Sequence, residues 1–141
     1  MEQEDRKPVI GLLGGSFNPV HIGHMMLASY LAQWGYVDRV WLSLSPRSPL
    51  KDGDALLPDL KRLAMLAIAA KAAPLLDICD IELSMPRPSY TINTLEVLRD
   101  RYPDLRFKLV IGSDNWRIFD RWRESQRILD EFGGIVYLRH G

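Results

Sequence analysis

Short apolar, β-leaning runs alternate along the chain with segments of helical periodicity. Five runs predict strands, at 9–13, 39–44, 75–81, 106–111 and 135–138. Helical patterns separate most of them. Residues 22–34 put Met25, Met26, Ala28, Leu31 and Ala32 on one broad face. Residues 58–73 are rich in Ala and Leu and begin with Pro58 at a first helical position. Residues 91–102 start at the hydroxyl of Thr91, a capping residue, and stop just before Pro103. Residues 125–132 end at Gly133-Gly134. Strands alternating with helices predict βαβ units: an α/β fold with a doubly wound parallel sheet of about five strands, covered on both faces. The Pro/Ser/Gly-rich stretch 45–54 reads as a surface loop, not a linker, and no internal repeat is evident, so residues 1–141 form a single domain.

Composition narrows the partners. Eighteen basic residues balance eighteen acidic ones, which excludes a nonspecific nucleic-acid binder relying on a basic excess. An anionic ligand must instead be held by a local cluster. No window approaches about eighteen uninterrupted apolar residues, so no membrane span is expected. Cys79 is the only cysteine; it precludes an intrachain disulfide and, lying in an apolar run, reads as a buried structural thiol. The charged start MEQEDRK has no apolar signal region behind it. A cytoplasmic protein is the expectation.

Chemistry concentrates in the stretch GGSFNPVHIGH, residues 14–24. It joins a strand, a glycine turn and a helix N-terminus, where backbone N–H groups and the helix dipole attract anions. Gly14 and Gly15 let backbone approach phosphate, Ser16 can contact it, and Asn18-Pro19 turns the chain into the helix. His21 and His24, three residues apart, share one side of the first turn. Gly23 is expensive at a helix start unless something large comes close. A plain structural turn would not need the histidines. Zinc would need further ligands, and Cys79 and His140 are not paired with anything nearby, so no metal site is expected. The second polar, glycine-marked strand exit is 112–116. It converges on the first if the first and fourth strands are neighbours.

GGSFNPVHIGH resembles the motif of the nucleotidyltransferase superfamily, in which an HxGH pair contacts nucleotide phosphates. SPRSPLK (45–51), RPSYTINTLEVLRDRYPD (87–104) and IGSDNWRIFDRW (111–122) narrow the resemblance to the nicotinate mononucleotide adenylyltransferases, over nearly the whole chain. The resemblance implies a Rossmann-like fold and adenylyl transfer from ATP to nicotinate mononucleotide, with Mg²⁺ carried on the phosphates. His21, His24 and Lys51 would be catalytic. Gly14, Gly15, Ser16, Phe17, Gly112 and Asp114 would join the histidines in binding ATP, with Asp114 on the ribose. Ser16, Lys51, Tyr90, Thr91, Trp122 and Arg123 would bind the mononucleotide, Trp122 lying against its pyridine ring.

Other readings stay open: a related enzyme with nicotinamide mononucleotide or phosphopantetheine as acceptor, or a nucleotide-binding module without catalysis. Leu50 stands where many relatives have a histidine before the lysine. The family's Ser/Thr-rich C-terminal element with an SxTxxR-like pattern is not found up to Gly141, so a C-terminally shortened chain is expected. An uncovered apolar patch favouring self-association would follow. Arg117, Arg121, Arg123 and Arg127 lie among Asp120, Glu124 and Asp130 and read as a salt-bridged surface. Trp34, Trp41 and Trp116 read as packing residues.

Overall fold

In the computed structural model, which describes residues 7–17, 20–46, 58–86 and 88–138, Val9–Gly15 forms β1 at the centre of a five-stranded sheet. Its position follows from its composition. Ile10 and Leu12 are buried on one face and Leu13 on the other, as a central parallel strand requires. The remaining strands are β2 (Arg39–Leu44), β3 (Leu76–Cys79), β4 (Arg106–Gly112) and β5 (Gly134–Tyr137). Their order is β3-β2-β1-β4-β5, and every pairing is parallel. The first and fourth strands are therefore neighbours, Leu13 standing opposite Leu42 on one side and Val110 on the other.

The helices divide between the faces. α1 (Ile22–Gln33) and α2 (Asp59–Lys71) pack Ala28, Leu31, Ala32 and Leu66 against Leu13, Val40, Leu42 and Leu44. α3 (Thr91–Arg101) and α5 (Ser125–Glu131) pack Ile92, Leu95, Leu98 and Ile128 against Ile10, Leu12, Phe107, Leu109 and Ile111. Each of the Leu, Ile, Val and Phe side chains among them contributes about 1.5–3 kcal/mol on burial, so these two layers dominate the stability. Gly11 allows the close approach: a Cβ there would lie 3.1 Å from Val110 Cγ2 and 3.2 Å from Val37 Cγ1.

Several boundaries differ from the expected ones for local reasons. β1 runs two residues further, because Gly14 and Gly15 still pair with Ser43 and Leu44. β3 stops at Cys79, where Ile81–Ser84 tightens into a 3₁₀ turn. Pro58 is the N-cap of α2, not its first helical residue. Tyr90, not Thr91, is the N-cap of α3, and makes no side-chain cap. A further single turn, α4 (Ser113–Trp116), follows β4 directly.

Of the three tryptophans expected to pack, Trp41 does, edge-on to Tyr102 and Phe107 at 5.1 and 5.4 Å between ring centroids. Trp116 stacks on Phe119 while remaining partly exposed. Trp34 does not pack as expected: it caps the end of α1 and is 71% exposed. Gly35, at φ +79°, turns the chain away there, so Trp34 extends the solvent-facing stripe Ile22, Met26, Tyr30. Val136 on the edge strand β5, and Leu138 just past it, are exposed too. Cys79 is buried as expected, and burial pushes its thiol pKa up. Among the described residues no helix is long and apolar enough to cross a membrane.

One ion network ties α5 to α3. Arg127 bonds Glu131, Glu124 and Glu96, and Glu131 also accepts from Arg99. The Arg127 guanidinium, helped by Arg99, holds the Glu131 carboxyl down to about 2. A carboxyl whose folded value lies below the unfolded one, about 4.3, stabilises fully above that pH. The contribution is then lost as pH falls through the folded value. In urea unfolding, wild type should exceed Glu131→Gln in stability at about pH 6, and the gap should close between about pH 4 and 2. A gap that stays constant down to about pH 2 would remove this role.

Candidate active site

All five strands run parallel, so their C-terminal ends share one rim. The exits of β1 and β4 diverge there, because the following helices cover opposite faces. Of the residues singled out from the sequence, Gly14, Thr91, Gly112 and Trp122 line the crevice between them.

His21 is the N-cap of α1, with extended backbone at φ −133° and ψ 173°. Its Nδ1 accepts the Gly23 N–H at 3.0 Å, and the Nδ1 of His24 accepts the His21 N–H at 3.1 Å. This is a reciprocal capping box in which two imidazoles occupy the places usual for Ser/Thr and Glu/Gln. The rings stack with centroids 3.7 Å apart. Each neutral ring has one N–H and one acceptor nitrogen, so an accepting Nδ1 assigns the proton to Nε2. The caps thus fix the tautomer, and the helix start gains two N–H donors suited to phosphate oxygens.

Gly23 has its large neighbour. A Cβ at this position would stand 2.8 Å from His21 Cε1 and 3.0 Å from its Nδ1. What comes close is the capping imidazole itself.

Gly14 and Gly15 are strand residues, and neither has a positive φ. Gly14 faces open space, with nothing within 4 Å of an added Cβ. Phe17 bears the strain of the turn: its φ is +43°, and its buried ring meets His24 edge-on at 4.9 Å. Gly112 is the buried N-cap of α4, which puts Asp114 in the first turn of that helix at the β4 exit. Asn18, Pro19, Lys51 and His140 lie outside the described residues.

Three adjoining cavities run along this rim. One of about 430 Å³ is lined by His21, Gly23, His24, Leu27, Tyr137 and Leu138. Tyr137 also lines the crevice proper, with Gly14, Ser43, Glu82, Thr91, Gly112 and Trp122. Thr91 and Trp122 in turn line a third cavity of about 320 Å³ with Ser89, Tyr90, Arg121 and Arg123. Trp122 is backed by Phe119 at 5.1 Å, and the Arg123 guanidinium lies 4.1 Å over the Tyr90 ring. Since Tyr90 gives α3 no side-chain cap, the first turn of that helix also presents backbone donors here.

Arg121 and Glu82 belong to this rim without being marked in the sequence as part of the site. Arg121 lines the third cavity with Arg123, and among the described residues it is Arg127 whose ion pairs fit the salt-bridged surface expected of the arginine run. Glu82 lies in the crevice, accepting from Thr94 Oγ1 at 3.2 Å and Ser89 Oγ at 3.5 Å, and burial raises its pKa. Ser43, which lines the same crevice, has a buried Oγ that meets no partner at hydrogen-bonding distance among the described residues. No polar periodicity marked either residue. Among the described residues no cluster of three His, Cys, Asp or Glu side chains could hold a metal ion.

The cytidylyltransferase-like family profile matches residues 12–140. A Bacteroides thetaiotaomicron protein named "probable nicotinate-nucleotide adenylyltransferase" is 47% identical over 138 residues, spanning 98% of this chain and 68% of that protein. A Bacteroides fragilis protein of the same name is 47% identical over 135 residues, spanning 96% and 67%. Among solved structures, Plasmodium falciparum nicotinic acid mononucleotide adenylyltransferase complexed with NaAD has a TM-score of 0.72 at 17% identity. That match covers 95% of this chain and 76% of the other. At so low an identity the likeness shows the fold, which is Rossmann-like. The sequence matches carry the family: the chain belongs to the cytidylyltransferase-like family and, within it, to the nicotinate-nucleotide adenylyltransferases.

Proposed function

We propose that this chain transfers the adenylyl group of ATP to nicotinate mononucleotide, giving deamido-NAD and pyrophosphate in NAD biosynthesis. The observation that carries the reading is the continuous rim, from the paired histidines at the start of α1 to the aromatic, cationic cavity at the start of α3. Its two ends differ in chemistry as the two substrates do.

A phosphate oxygen of the mononucleotide attacks the α-phosphorus of ATP. The bond from that phosphorus to the bridging oxygen breaks, and pyrophosphate leaves with the electron pair. No protein nucleophile is needed; such transfers depend on positioning and charge neutralisation. The Nε2–H groups of His21 and His24 donate to the phosphate chain, His24 to the oxygens whose charge grows in the transition state. Backbone from Gly14 to Phe17 and the dipole of α1 add to this. Asp114 accepts from the ATP ribose hydroxyls beside Gly112. Lys51 serves as a point charge on the acceptor phosphate. Among the described residues no carboxylate cage is at hand, so Mg²⁺ would be carried on the phosphates with water around it and would screen their charge.

Trp122 lies against the pyridine ring, with Tyr90 and Ser16 nearby. Backbone N–H groups near Thr91 and Arg123, assisted by the Arg121 charge, take the carboxylate. An amide NH₂ in that place would set donor against donor. The reaction belongs to the cytoplasm, the reducing compartment that suits the single buried thiol.

Purified protein with ATP and each acceptor in turn tests this by pyrophosphate release. Nicotinate mononucleotide should exceed the nicotinamide form in kcat/KM by about tenfold or more. Equal or better turnover with the amide or with phosphopantetheine overturns the acceptor assignment. ATP binding without pyrophosphate release favours a module without catalysis.

A further inference from the structure

The largest fully buried side chain among the described residues is charged. Arg62 projects from α2 with 0% exposure, among apolar neighbours on the same face such as Leu66 and Ala70. A buried guanidinium persists only when its donors are placed, and an apolar side chain of similar size would suit the packing as well. The donors show what the charge does. One terminal nitrogen of Arg62 donates both to the Ser16 carbonyl at 2.6 Å and to the Ser45 carbonyl at 3.0 Å. The other bonds the Asp59 carboxylate, one turn back on α2.

Ser16 is the first residue after β1, and Ser45 the first after β2. The two exits are already joined by Ser45 N–H to the Gly15 carbonyl at 2.9 Å. Arg62 closes that junction from beneath. In a planar trans peptide the N–H points opposite the carbonyl. A Ser16 carbonyl aimed at Arg62 therefore sends the Phe17 N–H away from α2. The Ser45 carbonyl, bonded by the same nitrogen, ties the residue that leaves β2 to the one that leaves β1.

We propose that Arg62 is a positioning residue for adenylyl transfer, locking the phosphate turn after β1 and the loop after β2 into one mutual geometry. It touches neither substrate. It rests on the functional reading above, because these are the two segments assigned to the ATP phosphates and the acceptor phosphate. Its effect is to keep attacking and transferring groups in register.

Arg62→Lys and Arg62→Met test it, with Leu66→Val as a control on the same buried face. Lysine keeps the charge but not the fork that reaches two carbonyls and a carboxylate together. Both Arg62 variants should fold by circular dichroism and lose kcat by about 10²-fold, the scale of a small misplacement of reacting groups. The control should lose stability but keep kcat within about threefold. Arg62 variants that keep kcat within about threefold, or lose it only in step with the folded fraction, overturn the proposal.

Should neither Arg62 variant fold, Asp59→Asn loosens the same guanidinium from a partly exposed position. A fall in kcat of about threefold to tenfold is expected, and unchanged kcat overturns the proposal. If the wild type turns over no acceptor, the functional reading fails, and calorimetric ATP binding tests the clamp separately. Affinity should then drop by about tenfold in Arg62→Lys, or in Asp59→Asn if that is the variant that folds; equal affinity overturns it.

Discussion

His24→Ala should lower kcat by about 10²–10³-fold, roughly 2.7–4 kcal/mol of transition-state stabilisation, with KM for ATP changed far less. The size follows from the geometry. The His24 Nδ1 is committed to the His21 N–H, so a neutral ring has its proton on Nε2, already oriented before any nucleotide arrives. A donor held in that way costs no reorganisation at the moment of reaction. The substitution also removes a cap, and the two effects must be told apart. His24→Gln does this: glutamine at the third helical position completes capping boxes with its own side-chain oxygen. Thermal stability should return in His24→Gln, while kcat should stay well below wild type. Wild-type kcat in His24→Ala, measured by pyrophosphate release, would end the phosphate role assigned to this ring.

Gly23→Ala should cost activity far more than stability. Alanine is favoured over glycine in helices by up to about 1 kcal/mol, which offsets much of what the displaced cap costs α1. Its Cβ, however, would stand 2.8 Å from His21 Cε1, closer than ring and methyl can tolerate. The imidazole is the outer end of an exposed side chain, so it can swing aside at little structural cost. Its Nδ1 then releases the Gly23 N–H, and its Nε2–H no longer faces the phosphates. A loss of about 10²-fold in kcat is expected, beside a Tm that changes little because the lost cap and the gain in helix propensity oppose each other. If kcat holds at the wild-type value, His21 does not act on the phosphates from its capped position.

The doubly wound sheet was legible because the two strongest patterns in the chain agreed. Val9 to Leu13 reads as continuously apolar, as a strand buried on both faces must, and the pattern 22–34 switches to helical spacing immediately after the polar turn. Strand order was not contained in that alternation; it came with the family resemblance, and the pairing of β1 with β4 agrees with it. His21 and His24 stood out because two histidines and a glycine are a costly way to start a helix.

The capping role of those histidines was hidden, since imidazoles seldom serve as helix caps. Thr91 illustrates the opposite failure. Its hydroxyl made it the obvious cap, yet Tyr90 takes that place, and it is Thr94, not Thr91, whose hydroxyl reaches the Tyr90 carbonyl and Glu82. Arg62 and Glu82 were illegible for another reason. Each sits in a segment whose neighbours explain it as an ordinary surface charge, and only the tertiary fold turns it inward.

The ring cluster at the start of α1 has a spectroscopic consequence. His24 lies face to face with His21 at 3.7 Å and edge-on to Phe17 at 4.9 Å. Its carbon-bound protons therefore sit in the magnetic fields of two neighbouring rings, at resonance frequencies displaced from those of a solvated histidine. Phe17 belongs to the phosphate turn, and His21 to the helix cap. A nucleotide that pulled on the backbone of the turn alone would shift those frequencies without touching His24. The molecule thus has its own unlabelled reporter, one that registers the arrival of phosphate and the posture of the turn in the same signal.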